Sequence, residues 1–286
     1  MARYLDPKSD LTFKRIFGEH PALLINFLNA VMPFESDRHI VDIEYLPAEQ
    51  VPENPGKKNS IVDVKCKDNY KRQFIIEMQM DWDEVFMNRI VFNAGKAYVR
   101  QLKRREAYHL LQPVYTLAIL NDTFDHKTEQ FYHHYQIVNR ANTDEIIPGL
   151  EFVLIELEKF SAETMVDRKL AVLWLRFLKE VDENMAALPP ELQENEYIRM
   201  AAELCEESAF TPEELAAYDK YWDIIRTEIA ARESARKKGE AIGAKKEQEK
   251  AVINGVKAGY SIEVMRTITG LTAGQITEIL KRHGLL

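Results

Sequence analysis

The chain has 286 residues, of which 46 % are hydrophobic, and a formal net charge of −8; this length and apolar content suffice for one main domain with appendages. The sequence contains no run of ~18 apolar residues, no signal-peptide pattern, and no zinc or disulfide spacing for its two cysteines, so we expect a soluble, cytoplasmic protein that has no membrane partner. The acidic balance argues weakly against a nucleic-acid partner, because acidic proteins can still concentrate basic residues locally.

The chain opens with a predicted helix. Asp6 is suited to the N-cap and Pro7 to the first helical position, and an apolar stripe follows at Phe13, Ile16 and Phe17. Asp10 lies in the first turn and has two interpretations. It is either an acid that the helix dipole favours or a side chain that approaches a metal site.

A β-hairpin is predicted at residues 60–79, after a strand at 40–46 and a loop at 47–58. Its polar turn lies at residues 69–71. Side-chain alternation places Asp63 and Lys65 on one face of the first strand and Glu77 and Gln79 on one face of the second. If the hairpin is centred near Tyr70, Asp63 and Glu77 lie directly opposite each other.

Two opposed carboxylates repel each other unless a cation lies between them, because cross-strand partners have Cβ atoms roughly 4.5–5.5 Å apart. Carboxylate oxygens with room for water suit Mg²⁺ or Mn²⁺, which commonly act on phosphate esters. The pair also fits a second interpretation, in which both acids lie on the solvent face of an ordinary hairpin.

A long helix is predicted at residues 81–105. Its core face is expected to carry Val91, Ala94, Tyr98 and Leu102, and the opposite face is basic, with Arg89, Lys96, Arg100 and Lys103. This stripe is either a phosphate-docking surface or a solvated helix face. Arg89 lies nearest the end of the second hairpin strand, so we keep it as a candidate.

Three strands are predicted next, at residues 113–120, 129–138 and 150–157. The first is almost continuously apolar, as in a strand that is covered on both faces. His133 and His134 alternate, so one is expected to be packed and the other exposed. The order of elements implies a mixed sheet flanked by helices, since the hairpin is antiparallel and a crossover through the long helix favours a parallel neighbour.

The remaining chain is predicted to be helical. Helices are expected at 165–181, 196–208 and 212–231, with Trp174, Tyr221 and Trp222 in the core. Residues 232–250 are rich in Ala, Gly, Lys and Glu, which is typical of a linker or an exposed helix.

Three short helices are predicted in 251–286, with a capping box between Thr272 and Gln275. They resemble a helix-turn-helix, whose last helix would offer Gln275, Thr277, Lys281 and Arg282 to DNA. A small packing or assembly module fits equally well, because Gly274 and Glu278 do not suit DNA contact.

These features together resemble the Rpn family of recombination-promoting nucleases and transposase-like proteins, within the PD-(D/E)XK nuclease superfamily. The resemblance covers nearly the whole chain. The residues that carry it are the opening segment 6–18, Asp63, the Glu77-Met78-Gln79 run, and the helix with Arg89 and Tyr98.

The resemblance implies a restriction-endonuclease-like α/β core at 1–160, a helical extension at 161–231, the segment 232–250 and an all-α module at 251–286. It also implies a Mg²⁺-dependent enzyme, with Mn²⁺ as a substitute, that hydrolyses DNA phosphodiesters. Asp63, Glu77 and the Met78 carbonyl would then hold the metal, and Asp10 would reach it through water.

The chain departs from the superfamily at one position. A lysine is common two residues after the glutamate, and Gln79 stands there instead. A glutamine can orient water but carries no positive charge. Lys65 either brings the missing ammonium from the neighbouring strand or is only a cross-strand partner of an acid.

We therefore expect a Mg²⁺-dependent DNA endonuclease linked to recombination or transposition, with Asp63, Glu77, Gln79 and Lys65 as its catalytic residues. A double-strand cut would need two sites, so a homodimer is plausible. Two alternatives stay open: a catalytically silent DNA-binding or assembly protein, and a structural protein without a nucleic-acid partner.

Overall fold

A computed structural model describes residues 3–34, 36–50, 60–165 and 169–286. The chain divides into two compact units, Met1–Asp223 and Ile224–Leu286. Within the described residues, no helix has both the length and the apolar character needed to cross a membrane.

The first unit is built on a mixed β-sheet. Its strands are β1 (Ile43–Tyr45), β4 (Val64–Asp68), β5 (Gln73–Gln79), β6 (Val114–Leu120), β7 (Tyr132–Asn139) and β8 (Asn142–Glu156), and two short strands, β2 (Glu49–Gln50) and β3 (Ser60–Ile61), form a separate pair. The order across the sheet is β1-β4-β5-β6-β8-β7. The β4–β5 and β7–β8 pairs are antiparallel, whereas β6 is parallel to both β5 and β8. This arrangement confirms the predicted mixed sheet.

Helices cover both faces of this sheet. This unit contains α1 (Asp10–Phe13), α2 (Pro21–Val31), α3 (Glu84–Val99), α4 (Lys169–Glu180), α5 (Pro190–Glu194) and α6 (Glu196–Glu203), with the beginning of α7 (Pro212–Lys257). On one face, α3 packs through Ile90, Ala94 and Ala97. On the other, Phe17 and Phe27 stack around the buried ring of Trp174, as predicted for this tryptophan. Every residue of β6 is buried, which confirms a strand covered on both sides.

The N-terminal helix begins later than the sequence pattern indicates. Ser9, rather than Asp6, is its N-cap and accepts a hydrogen bond from the Thr12 N–H. The prediction for Asp6 is wrong because its carboxylate binds Lys8 instead, through the backbone N–H and the ammonium. Lys8 Nζ also donates to the Leu178 carbonyl (3.0 Å), so this segment fastens the N-terminus to α4.

The long predicted helix is also shorter, ending at Val99, with Arg100 as its C-cap. Val91, which was expected on the core face, is 46 % exposed, because Ile90 and Asn93 point at the sheet instead. Lys103 lies beyond the helix, so the basic stripe is shorter than predicted.

Several strand and helix boundaries differ. β1 is limited to three residues, residues 49–50 pair as a strand within the predicted loop, and β8 begins eight residues before the predicted strand. Most of the first half of β8 is exposed, so it lacks the alternation that reveals a half-buried strand. Residues 51–58 of the predicted loop, residue 59 and residues 166–168 of the predicted helix lie outside the described residues.

The second unit contains the later part of α7 followed by α8 (Ile262–Thr269) and α9 (Ala273–Arg282). Residues 232–250 are helical, which is one of the two predicted alternatives. Val252, Met265, Ile276 and Leu280 form the small core of this unit. The capping box between Thr272 and Gln275 is confirmed, with both of its hydrogen bonds present.

Candidate metal centre

The β4–β5 turn sets the register of the hairpin. Asp68 Oδ1 accepts hydrogen bonds from the backbone N–H groups of Tyr70 (3.0 Å) and Arg72 (2.9 Å), and the Arg72 guanidinium lies 2.6 Å from Asp68 Oδ2. Lys71 completes the turn with a positive φ of 63°. A slip of one residue would break all of these contacts and turn every side chain to the other face of the sheet.

This register brings Asp63 and Glu77 together, as predicted. Val64 pairs with Ile76, and continuing the pairing by one residue places Asp63 opposite Glu77. Glu77 is 5 % exposed and Asp63 is partly buried. The hairpin therefore holds two acids side by side in a region with little access to water.

Each carboxylate accepts a hydrogen bond that orients it. The Met78 N–H donates to Asp63 Oδ2 (2.7 Å), and Asn93 Nδ2, from α3, donates to Glu77 Oε1 (3.2 Å). The N–H and C=O of one strand residue point to the same strand edge. The Met78 carbonyl therefore faces the side on which Asp63 lies.

Burial and a neighbouring negative charge raise the pKa of both acids. The pKa of Asp63 is raised first by burial and then by the negative charge of Asp10. The pKa of Glu77 is raised by burial and then by the negative charge of Asp63. The described residues compensate the charge of this pair only in part, so the site favours a cation or a shared proton.

Two cations lie close enough to act on the pair. The positive charges of Lys14 and Arg89 lower the pKa of both acids, against the larger effect of burial. Lys14 Nζ is itself 2.6 Å from Asp10 Oδ1, so Asp10 and Lys14 reach the site as an ion pair at its edge. Sequence reasoning identified Asp10 but missed Lys14, although the spacing of four residues between them is typical of a helical ion pair.

Gln79 and Lys65 occupy different surroundings. Gln79 Nε2 donates to the Asp81 carbonyl (2.7 Å), and Gln79 Oε1 accepts from Arg89 Nη2 (2.6 Å). Lys65 is paired with Ile75, and its pKa is lowered by burial and by the positive charges of Arg100 and Lys96. The structure thus joins Gln79 to Arg89 at the end of β5, and places Lys65 where Arg100 and Lys96 act on it.

The two histidines separate as predicted. His133 is buried with its Nε2 atom 2.8 Å from Glu156 Oε2, whereas the exposed His134 lies 2.8 Å from Glu151 Oε2. Neither residue is a ligand in a cluster, since the described part of the chain contains no group of three or more His, Cys, Asp or Glu side chains placed to hold a metal.

The donor set still fits a hard cation. Asp63, Glu77 and the Met78 carbonyl supply oxygen ligands, which Mg²⁺ and Mn²⁺ prefer, and Mg²⁺ commonly binds one or two carboxylates and keeps several waters. In addition, Asn93 Oδ1 is buried beside Glu77 and has no hydrogen-bond partner among the described residues. A metal-bound water would supply the missing donor.

The chain matches a known protein family. A family model described as PD-(D/E)XK nuclease family transposase matches residues 7–234, which include α1, the hairpin and α3. The chain belongs to this family. No curated protein and no solved structure matches it.

The candidate centre lies within the part of the chain that matches the PD-(D/E)XK nuclease family. The matched segment contains every residue of the candidate centre, from Asp10 to Asn93. It ends at residue 234, so α8 and α9 lie outside it. The sequence-based resemblance to this group is therefore confirmed at the level of the family and the fold.

Proposed function

We propose that the protein is a Mg²⁺-dependent DNA endonuclease, with Mn²⁺ as a substitute, that acts in recombination or transposition. One observation carries the proposal: Asp63 and Glu77 lie opposite each other with raised pKa values, in a chain of the PD-(D/E)XK nuclease family. A buried pair of like charges destabilises the fold unless it binds something positive. We therefore infer that the pair is kept for metal binding.

In this proposal Asp63, Glu77 and the Met78 carbonyl hold the metal, and Asp10 binds it through water. The metal, when bound, lowers the pKa of a water and polarises the scissile phosphate. The Met78 N–H and Asn93 fix the orientation of the two carboxylates before the metal arrives. Gln79 and Lys65 are the polar residues that the sequence predicts beside this centre, and the Gln79 amide bonds to the Asp81 carbonyl and to Arg89.

The test is cleavage of supercoiled plasmid with Mg²⁺ by wild-type protein, Asp63→Asn and Glu77→Gln. Removing a ligand should reduce the rate by at least about 100-fold, since even partners behind the ligands are worth 10–100-fold. Glu44→Gln is the matched control, because Glu44 is an exposed acid of the same sheet, paired with Lys67 (2.7 Å). Cleavage that survives in both site variants would refute the proposed centre.

One feature favours the alternative function, a silent nuclease fold that only binds DNA or assembles on it. Gln79 carries no charge at the position where the superfamily often has a lysine. The same assay separates the two functions if DNA retention is measured beside cleavage. Salt-dependent DNA binding by wild-type protein without metal-dependent cleavage would favour the alternative.

Two further proposals concern context. We propose a homodimer, because cutting both strands needs two sites, and light scattering at several concentrations would test it. We also propose a cytoplasmic location, which the two buried free cysteines, Cys66 and Cys205, support.

A further inference from the structure

We propose that Arg89 is the catalytic cation of this centre, contacting the scissile phosphate, and that Gln79 is the positioning residue that holds it there. The inference rests on the proposed endonuclease function and deepens it. It assigns the positive charge to the helix after the hairpin, rather than to either strand.

The hydrogen bonds of Gln79 fix the orientation of its amide. Its Nε2 donates to the Asp81 carbonyl (2.7 Å), so its Oε1 points the other way and accepts a bond from Arg89 Nη2 (2.6 Å). A lysine at this position could not accept that bond, and its ammonium would repel the guanidinium. Gln79 and Arg89 therefore form a matched pair, in which the uncharged residue on the strand fixes the charged residue on the helix.

The position of the Arg89 guanidinium also favours this role. Arg89 lies one helical turn before Asn93, the residue that donates to Glu77. Its positive charge acts on both Asp63 and Glu77, so it lies near both proposed ligands. The guanidinium carbon is also 4.9 Å from the ring centre of Phe86, which is fully buried and gives the group a fixed support.

The Arg89 guanidinium also has hydrogen-bond donors available for a phosphate. Arg89 is exposed, and among the described residues its guanidinium makes a single hydrogen bond and no ion pair with an acid. Lys14, the other cation at the site, is already paired with Asp10 at 2.6 Å. Lys65 lies two residues from Asp63 on the same strand, where the positive charges of Arg100 and Lys96 act on it, whereas the cations that act on the two acids are Lys14 and Arg89. Arg89 is thus the cation with donors to spare at the carboxylates.

The chemistry fits a guanidinium. In hydrolysis, a water oxygen bonds to phosphorus and the bond from phosphorus to one sugar oxygen breaks. One proton of the water passes to the leaving oxygen, which becomes a hydroxyl, and the other stays with the new terminal phosphate or leaves to solvent. Negative charge grows on the non-bridging oxygens meanwhile, and a planar guanidinium can donate two parallel hydrogen bonds to them.

The test compares Arg89→Ala, Gln79→Lys and the double variant Arg89→Ala/Gln79→Lys in single-turnover cleavage at saturating DNA. Arg89→Ala should slow cleavage about 10²–10³-fold, as expected for loss of a group that stabilises transition-state charge. In the double variant, the new lysine restores a cation without the arginine, so cleavage should recover by at least about 10-fold relative to Arg89→Ala. Arg140→Ala, which removes an exposed arginine from the turn between β7 and β8, is the matched control.

A second readout separates charge stabilisation from a structural role. Mn²⁺ affinity, measured by calorimetry without DNA, should be unchanged or tighter in Arg89→Ala, because a positive charge is removed from the edge of the site. Weaker Mn²⁺ binding in proportion to the lost rate would overturn the inference, as would cleavage within about 3-fold of wild type. Absence of cleavage by the wild-type protein would instead overturn the proposed function, and the inference with it.

Discussion

The hairpin carries two buried cross-strand pairs that differ in one respect. At the turn, Asp68 lies opposite Arg72, and at the far end Asp63 lies opposite Glu77. Asp68, Arg72 and Glu77 are each 5 % exposed. The first pair contains its own countercharge at 2.6 Å, whereas the second contains two acids with raised pKa values. The same two strands therefore hold one pair whose charges balance and one pair of like-charged groups.

The largest expected effect concerns the pair at the turn. Arg72→Met would leave Asp68 buried without its cation, which should lower the free energy of unfolding by about 3–5 kcal/mol. Urea denaturation would measure it. The double variant Asp68→Asn/Arg72→Met is the control and should cost less than the single one, since no charge is left unpaired. Equal losses in the two variants would mean that packing against Phe34, rather than charge, is what Arg72 contributes.

The opposite result is expected at the far end, where an added cation should stabilise the fold. Mn²⁺ at about 100 times its dissociation constant should raise the free energy of unfolding by about 2.7 kcal/mol. Glu77→Gln should remove this gain, and Glu44→Gln should keep it. A melting temperature that rises equally with Mn²⁺ in all three proteins would show that the metal binds elsewhere.

The comparison also predicts a dependence on pH in the presence of a chelator. Because the pKa of Glu77 is raised in the fold, the folded protein binds more protons than the unfolded chain, and its stability falls as pH rises from the ordinary glutamate value towards the raised one. Glu77→Gln lacks this loss. The variant should match wild type near pH 4 and exceed it at pH 8, by about 1.4 kcal/mol for each unit of pKa shift.

Thermal unfolding at both pH values would measure this difference, at roughly 2–4 °C for each kcal/mol. A variant that is less stable than wild type at pH 8 would show that the Asn93 bond to Glu77 outweighs the repulsion by Asp63.

The sequence predicted the hairpin and its opposed acids because the information is local. The turn residues, the alternation of side chains along each strand and the position of the turn centre suffice to place Asp63 opposite Glu77. The roles of Lys14, Arg89 and Asn93 were not fully predictable, because they depend on how α1 and α3 lie over the sheet. Helical periodicity predicted Val91 on the core face, whereas Ile90 is the buried residue. Both residues are apolar, so a shift of the core face by one residue along α3 leaves the apolar pattern almost unchanged.

The predictions of the first N-cap residue and of the start of β8 were wrong for different physical reasons. Asp6 and Ser9 are both good capping residues. Lys8 binds the Asp6 carboxylate and is itself held by the Leu178 carbonyl, a contact between distant residues that the local sequence cannot predict. Residues 142–149 are mostly exposed, so pairing with β7, and not burial of alternate side chains, makes them a strand.

The smallest expected effect distinguishes two exposed ion pairs that look alike. Asp10–Lys14 (2.6 Å) and Glu44–Lys67 (2.7 Å) are both partly solvated, and either should contribute under about 1 kcal/mol to stability. Asp10→Asn, however, leaves the Lys14 charge unpaired near Asp63, so Mn²⁺ should bind a few-fold more weakly, a change of about 0.5–1 kcal/mol. Glu44→Gln should leave Mn²⁺ affinity unchanged. If calorimetry gave the same affinity for both variants, Asp10 would belong to the helix and not to the metal centre, and the centre would reduce to the two opposed acids of the hairpin.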